Sequence, residues 1–110
     1  MIVWIGVALL GGFGACARFL VDKTFATRAF PRGTLVVNLS GAFLLGLVTH
    51  VSGDAYLLAG TATLGAYTTF STWMFESQRA VEDGRPRVAI ANLAISLVLG
   101  VAAAALGRAL

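Results

Sequence analysis

The stretch Gly33-Thr34-Leu35-Val36-Val37-Asn38-Leu39-Ser40-Gly41-Ala42-Phe43-Leu44-Leu45-Gly46 sets an uncharged amide, Asn38, inside an apolar run. If that run crosses a membrane, the two N–H donors of the amide cost free energy unless something polar uses them. The remainder of the chain decides for the membrane. Its 110 residues are 58% hydrophobic and only 12% charged, with a mean hydropathy of +0.87. A soluble domain this small has too little interior to hide so much apolar surface.

Working outward from Asn38, four apolar stretches can be drawn: Ile2–Leu20, Gly33–Val51, Ala55–Phe75 and Val88–Leu106. Each is about 19 residues, long enough to cross hydrocarbon as a helix. The expectation is an all-α integral membrane protein, a single domain over residues 1–110 with helices near 2–20, 33–51, 55–75 and 88–106. The first stretch has no basic region before it and is followed by three more spans, so it reads as a span rather than a cleaved leader. Cys16 is the only cysteine, which excludes an intrachain disulfide and fits packing better than metal or redox chemistry.

Small and polar residues recur where lipid-facing leucine is expected: Gly11, Gly12, Gly14, Asn38, Ser40, Gly41, Thr68, Thr69, Ser71, Thr72, Asn92 and Ser96. Such residues need protein or water beside them, which implies an oligomer. Charge sets the orientation. With four spans the first and third loops share a side, and they hold Lys23, Arg28, Arg32, Arg79, Arg85 and Arg87, with Arg18 at the border. By the positive-inside rule both loops face the cytoplasm and both termini face out. Basic residues beside a membrane are routine, so nucleic acid is not an expected partner.

Thr34, Asn38 and Gly41 fall on one face of the second helix, and Asn92, Ser96 and Gly100 on one face of the fourth. Each face carries a short ladder of neutral hydrogen-bonding groups. Interhelical bonds of about 1 kcal/mol or less would account for them, as would a path for a ligand. The third helix adds a further signal. Gly65-Ala66-Tyr67-Thr68-Thr69-Phe70-Ser71-Thr72-Trp73 is rich in β-branched, hydroxyl and glycine residues and supports a regular helix poorly. Two readings stay open: a plain helix whose hydroxyls bond back to the preceding turn, or a break that frees carbonyls near Gly65 and Thr68 for protein, water or a hard cation such as Na⁺. Phe70 and Trp73 then share a face, and aromatic edges carry the partial positive charge that can solvate an anion. With no carboxylate near any span centre and Glu76 at the end of the third span, the combination suits an anion.

Three segments, Gly11-Gly12-Phe13-Gly14-Ala15-Cys16-Ala17-Arg18, Gly33 to Phe43, and Gly65 to Thr72, occur in the order found in the small bacterial fluoride channels of the Fluc (CrcB) family, and the chain resembles them in length and span count. The resemblance implies an antiparallel, dual-topology dimer in a bacterial inner membrane, with two fluoride pores and a central structural Na⁺. Carried over by motif, Gly65 and Thr68 supply carbonyls to the Na⁺. Asn38 is the pore asparagine, Phe70 the first pore phenylalanine with Trp73 in the second position, Thr34, Ser71, Thr72 and Ser96 the hydroxyl track, and Arg18 a vestibule residue. Two departures stand out. Trp73 replaces the usual second phenylalanine, so its N–H could meet an anion or its bulk could obstruct a pore. Ala66 stands where a second glycine is usual, which narrows the backbone angles available.

A channel of this kind replaces the water around fluoride with neutral N–H, O–H and aromatic C–H donors, because a fixed positive charge would hold the ion too tightly. An inside-negative potential favours export by about 2.3 kcal/mol per 100 mV, so passive flow suffices to limit fluoride toxicity and no enzymatic step is needed. A small multidrug-resistance-type transporter is the leading alternative by size, but it needs a carboxylate in the first span and Ile2–Leu20 has none. A structural membrane subunit without flux is the other. Finally, a chain that inserts both ways should have balanced loops, whereas basic charge here is loaded onto one side; this predicts pairing with an oppositely oriented homologue.

Overall fold

The computed structural model describes residues 1–25 and 32–110. Arg28, counted above in the first basic loop, lies outside the described residues. Among those residues every regular element is helical: α1 (Ile2–Phe25), α2 (Arg32–Leu47) ending in a tighter turn at Val48–His50, α3 (Gly53–Tyr56), a π-helical segment (Leu57–Leu64), α4 (Gly65–Tyr67), α5 (Ser71–Glu82) and α6 (Pro86–Ala109). The first, second and fourth spans are thus α1, α2 and α6, each long and apolar enough to cross a membrane. The third span is a composite of α3, the π segment, α4 and α5, interrupted between Tyr67 and Ser71. The broken reading of that span is the one adopted, with the interruption at Thr68–Phe70, just past the glycine expected to mark it.

The principal extents are 49 × 28 × 19 Å, so the thinnest dimension is about two helix diameters. Such a slab has little interior. Its buried apolar residues are mainly small, Ala62, Ala80 and Ala89 with Val37 and Leu64, while Trp4, Leu9, Phe13, Phe19, Ile90 and Val98 are exposed. That distribution is inside-out for water and ordinary for lipid, where close approach of small residues rather than apolar burial holds helices together.

Glycines bring α2 and α6 into close contact. A Cβ on Gly46 would meet the Ala104 carbonyl oxygen, and one on Gly107 would meet that of Phe43. The two glycines therefore let the backbones come together where no side chain fits, and His50 Nε2 pairs with the Arg108 carbonyl at 2.8 Å at the same end. At the opposite end Gly84, at φ +76°, terminates α5. The Arg85 N–H donates to the Ala80 carbonyl at 2.8 Å and the Gly84 N–H to Val81 at 3.0 Å, the paired bonds of a left-handed glycine cap. Pro86 then opens α6 at its first position, where a missing N–H costs nothing. The Glu82–Pro86 segment is therefore a helix stop followed at once by a helix start, and it lays α6 back against α5 and α2.

Candidate functional site

The interruption in the third span is built around Thr69. Thr68 turns the chain extended, at φ −77° and ψ 159°, so the next N–H and carbonyl leave the helix ladder at membrane depth. Asn38 takes up both: its Nδ2 donates to the Thr69 carbonyl at 2.9 Å and its Oδ1 accepts the Thr69 N–H at 2.8 Å. The Thr69 hydroxyl then caps the next helix, accepting from the Thr72 N–H at 3.2 Å while it donates to the Thr72 hydroxyl at 3.1 Å. Upstream, the Thr68 N–H and hydroxyl both reach the Leu64 carbonyl at 3.0 Å. The carbonyls of Gly65 and Thr68 meet no N–H or O–H among the described residues. Backbone oxygens without such partners are hard donors of the kind that alkali cations take.

A cleft of about 400 Å³ opens beside the interruption between α2, α5 and α6, lined by Asn38, Thr68, Thr69, Phe70, Trp73 and Ser96 together with apolar residues that include Leu45, Leu97 and Ala104. Five of the residues expected at a site, Asn38, Thr68, Phe70, Trp73 and Ser96, thus share one wall system. The rings of Phe70 and Trp73 meet edge to face, centroids 5.7 Å apart at 79°. Phe70 is 69% exposed in the single chain, so its ring projects from the wall instead of filling it. Ser96 is buried on α6 and its hydroxyl donates to Asn92 Oδ1 at 3.4 Å.

The other expected residues lie elsewhere. Thr34, 1% exposed, sits one turn before Asn38 and donates its hydroxyl to Glu76 Oε1. Thr72 joins the Thr69 cap, and Ser71 is exposed at the start of α5 away from the cleft wall. Arg18 is half-buried on α1 and Gly65 lies at the head of α4, both off the cleft. Two residues were missed as participants. Thr69 was read only as one polar residue among several, although its hydroxyl three residues before Thr72 is a capping spacing. Glu76 was set aside at the end of its span; α5 in fact carries it inward to the Thr34 hydroxyl. A threonine alone at the head of an apolar helix was a sign that an acceptor must come from another element.

A family model described as CrcB-like protein, Camphor Resistance (CrcB), matches residues 5–108. The chain belongs to the CrcB family. The CrcB relatives include the Fluoride-specific ion channel FluC 2 of Mycolicibacterium paratuberculosis, 58% identical over an alignment that takes in 98% of this chain and 93% of that protein. FluC 2 of Mycobacterium tuberculosis H37Rv is 55% identical over 96% of this chain and 88% of its own length. FluC 1 of Symbiobacterium thermophilum is 43% identical, with coverage of 97% and 95%. The resemblance read in the three CrcB segments is therefore correct, and these relatives carry the names of channels rather than enzymes.

Proposed function

We propose that this chain is a fluoride-specific ion channel that lets fluoride leave the cytoplasm passively. The observation that carries the reading is the 58% identity to a protein named as a fluoride-specific channel over nearly the whole of both chains. The cleft supports it. Its polar lining is neutral, from Asn38, Thr68, Thr69 and Ser96, and its aromatic pair offers ring edges instead of a formal cation. Of the two N–H bonds on Asn38, one serves Thr69 and the other remains for an anion in the cleft. With the Thr68, Thr69 and Ser96 hydroxyl protons committed to protein acceptors, the free Asn38 N–H and the aromatic edges are the donors that replace fluoride's water, without a fixed charge to trap the ion. By the resemblance, Ser71 and Thr72 continue a hydroxyl track beyond the cleft with Arg18 at the vestibule, and Thr34 joins it only when its hydroxyl leaves Glu76.

The working unit in this proposal is an antiparallel dimer in the bacterial inner membrane, with both termini of this chain outside. The half-open cleft, the projecting Phe70 and the small interior of the single chain fit a partner closing the pore. Na⁺ fits the unmet carbonyls of Gly65 and Thr68, where it would supply fixed positive charge that ties the two broken spans together without taking part in transport. The one-sided basic loops favour an oppositely oriented homologue as the partner.

Liposomes loaded with fluoride or chloride, carrying this chain alone or with its homologue, test the reading. Fluoride efflux with chloride retained is the expected result. Folded protein that passes neither ion would leave a structural subunit as the function.

A further inference from the structure

Trp73 stands in the cleft wall with a donor that an anion could use, yet that donor is already engaged. The indole Nε1–H donates to the backbone carbonyl of Asn92 at 3.2 Å. The side chain of the same Asn92, 1% exposed, donates through Nδ2 to Ser77 Oγ at 2.8 Å. The Ser77 hydroxyl in turn donates to the backbone carbonyl of Trp73 at 2.9 Å. The bonds close a circuit in which Asn92 of α6 holds the Trp73 ring directly and reaches its backbone through Ser77. Ser96, itself in the cleft wall, adds a bond to Asn92 Oδ1.

The circuit has a consequence for the cleft. The face of the molecule that carries Phe70 is open, and the neighbour that gives its ring a defined direction is the Trp73 indole, nearly perpendicular at 79°. An indole pinned at its nitrogen cannot swing about its side-chain bonds, so the ring against it keeps its orientation as well. Buried polar networks that are fully satisfied fix geometry in this way, and loosening one member loosens the others.

We propose that Asn92 is a positioning residue for the pore: its backbone carbonyl takes the indole N–H of Trp73 away from the permeating anion, and its side chain, through Ser77, holds that carbonyl in register with α5, so that the ring fixes the aromatic edge that Phe70 presents. The inference rests on the channel reading for its functional meaning, but the circuit itself can be tested without flux. An indole that is structurally committed contributes its ring to the pore and not its donor. Trp73→Phe, which keeps a ring but loses the N–H that pins it, should therefore still conduct fluoride with selectivity over chloride lowered about as far as in Asn92→Ala, whereas Trp73→Leu should lose selectivity altogether.

The direct test is the indole ¹⁵N–¹H resonance of Trp73 in the assembled full-length protein in lipid nanodiscs. The chain has two tryptophans, and Trp4→Phe at the exposed end of α1 identifies the Trp73 signal. The resonance should exchange slowly with deuterium and stay in place when chloride is replaced by fluoride. In Asn92→Ala, which keeps the backbone carbonyl but cuts the side-chain link that holds it in register through Ser77, it should shift and exchange faster, with a severalfold fall in fluoride-over-chloride selectivity. Ser77→Ala, a milder break in the same circuit, should give smaller changes in the same direction and serves if Asn92→Ala does not fold. A wild-type resonance that moves with fluoride would make the indole an anion ligand and overturn the proposal. So would Asn92→Ala or Ser77→Ala variants whose resonance and selectivity match the wild type. Wild-type protein with no fluoride flux would instead sink the channel reading, while the resonance would still decide whether the circuit exists.

Discussion

Asn38 and Thr69, thirty-one positions apart, are joined by two hydrogen bonds that satisfy both backbone groups of Thr69 with a single amide. The residue that looked from the sequence like a pore donor is also the clamp that makes the interrupted span tolerable in lipid. This double use makes Asn38 hard to replace. Asn38→Ala leaves a donor and an acceptor unmet, at about 1–3 kcal/mol each, and should lower thermal stability in detergent as well as abolish flux. Asn38→Asp can still accept from the Thr69 N–H but turns a carboxylate oxygen toward the Thr69 carbonyl at membrane depth, so it should recover neither the stability nor the flux. Thermal unfolding and fluoride efflux on the same preparations check both.

The α2–α6 contact should tolerate little enlargement. Gly46 and Gly107 each face a backbone carbonyl of the other helix, and a carbonyl cannot move aside as a flexible side chain can. Gly107→Leu or Gly46→Leu should cost at least the roughly 1–3 kcal/mol of ordinary overpacking. The measurement is the yield of monodisperse protein on size exclusion, where wild-type yield for either variant would contradict the packing described.

Thr34 reaches Glu76 across forty-two positions. Thr34→Val keeps the shape and removes the hydroxyl, leaving the carboxylate without that donor at about 1–3 kcal/mol. Thr34→Ser keeps the hydroxyl and should restore most of the lost stability. Equal melting temperatures for the valine and serine variants would show that the bond carries no weight.

Phe70 should behave in the opposite way to Asn38. Because it is largely exposed in the chain, Phe70→Ile forfeits little beyond its ring contact with Trp73, about 0.5–1.5 kcal/mol. Flux and stability should therefore separate, with fluoride efflux strongly reduced and the melting temperature lowered much less than in Asn38→Ala. A variant that conducts like the wild type would remove Phe70 from the pore.

The spans around Asn38, and the weakness of the third, were legible because they rest on local properties: apolar length, and a run of threonine and glycine that supports a helix poorly. Five of the expected site residues gather in one cleft because helical periodicity sets which side chains share a face. What the sequence left open depends on how helices cross. The Asn38 clamp requires α2 to pass the interruption at one register, and the Thr34–Glu76 bond requires α5 to re-enter beside the start of α2. The indole of Trp73 was left between anion ligand and obstruction, and its partner, the Asn92 carbonyl, is a backbone atom that no residue pattern singles out. The π-helical stretch Leu57–Leu64 likewise reflects a carbonyl register, with the Thr63 hydroxyl bonded five residues back to Leu58 at 2.8 Å.

The central claim is selective fluoride conduction, and its most direct test is the reversal potential of a planar bilayer containing the assembled protein, with fluoride on one side and chloride on the other. The account predicts a current carried by fluoride alone, reversing far from zero toward the fluoride equilibrium potential. A reversal near zero, showing comparable passage of both anions, would contradict it.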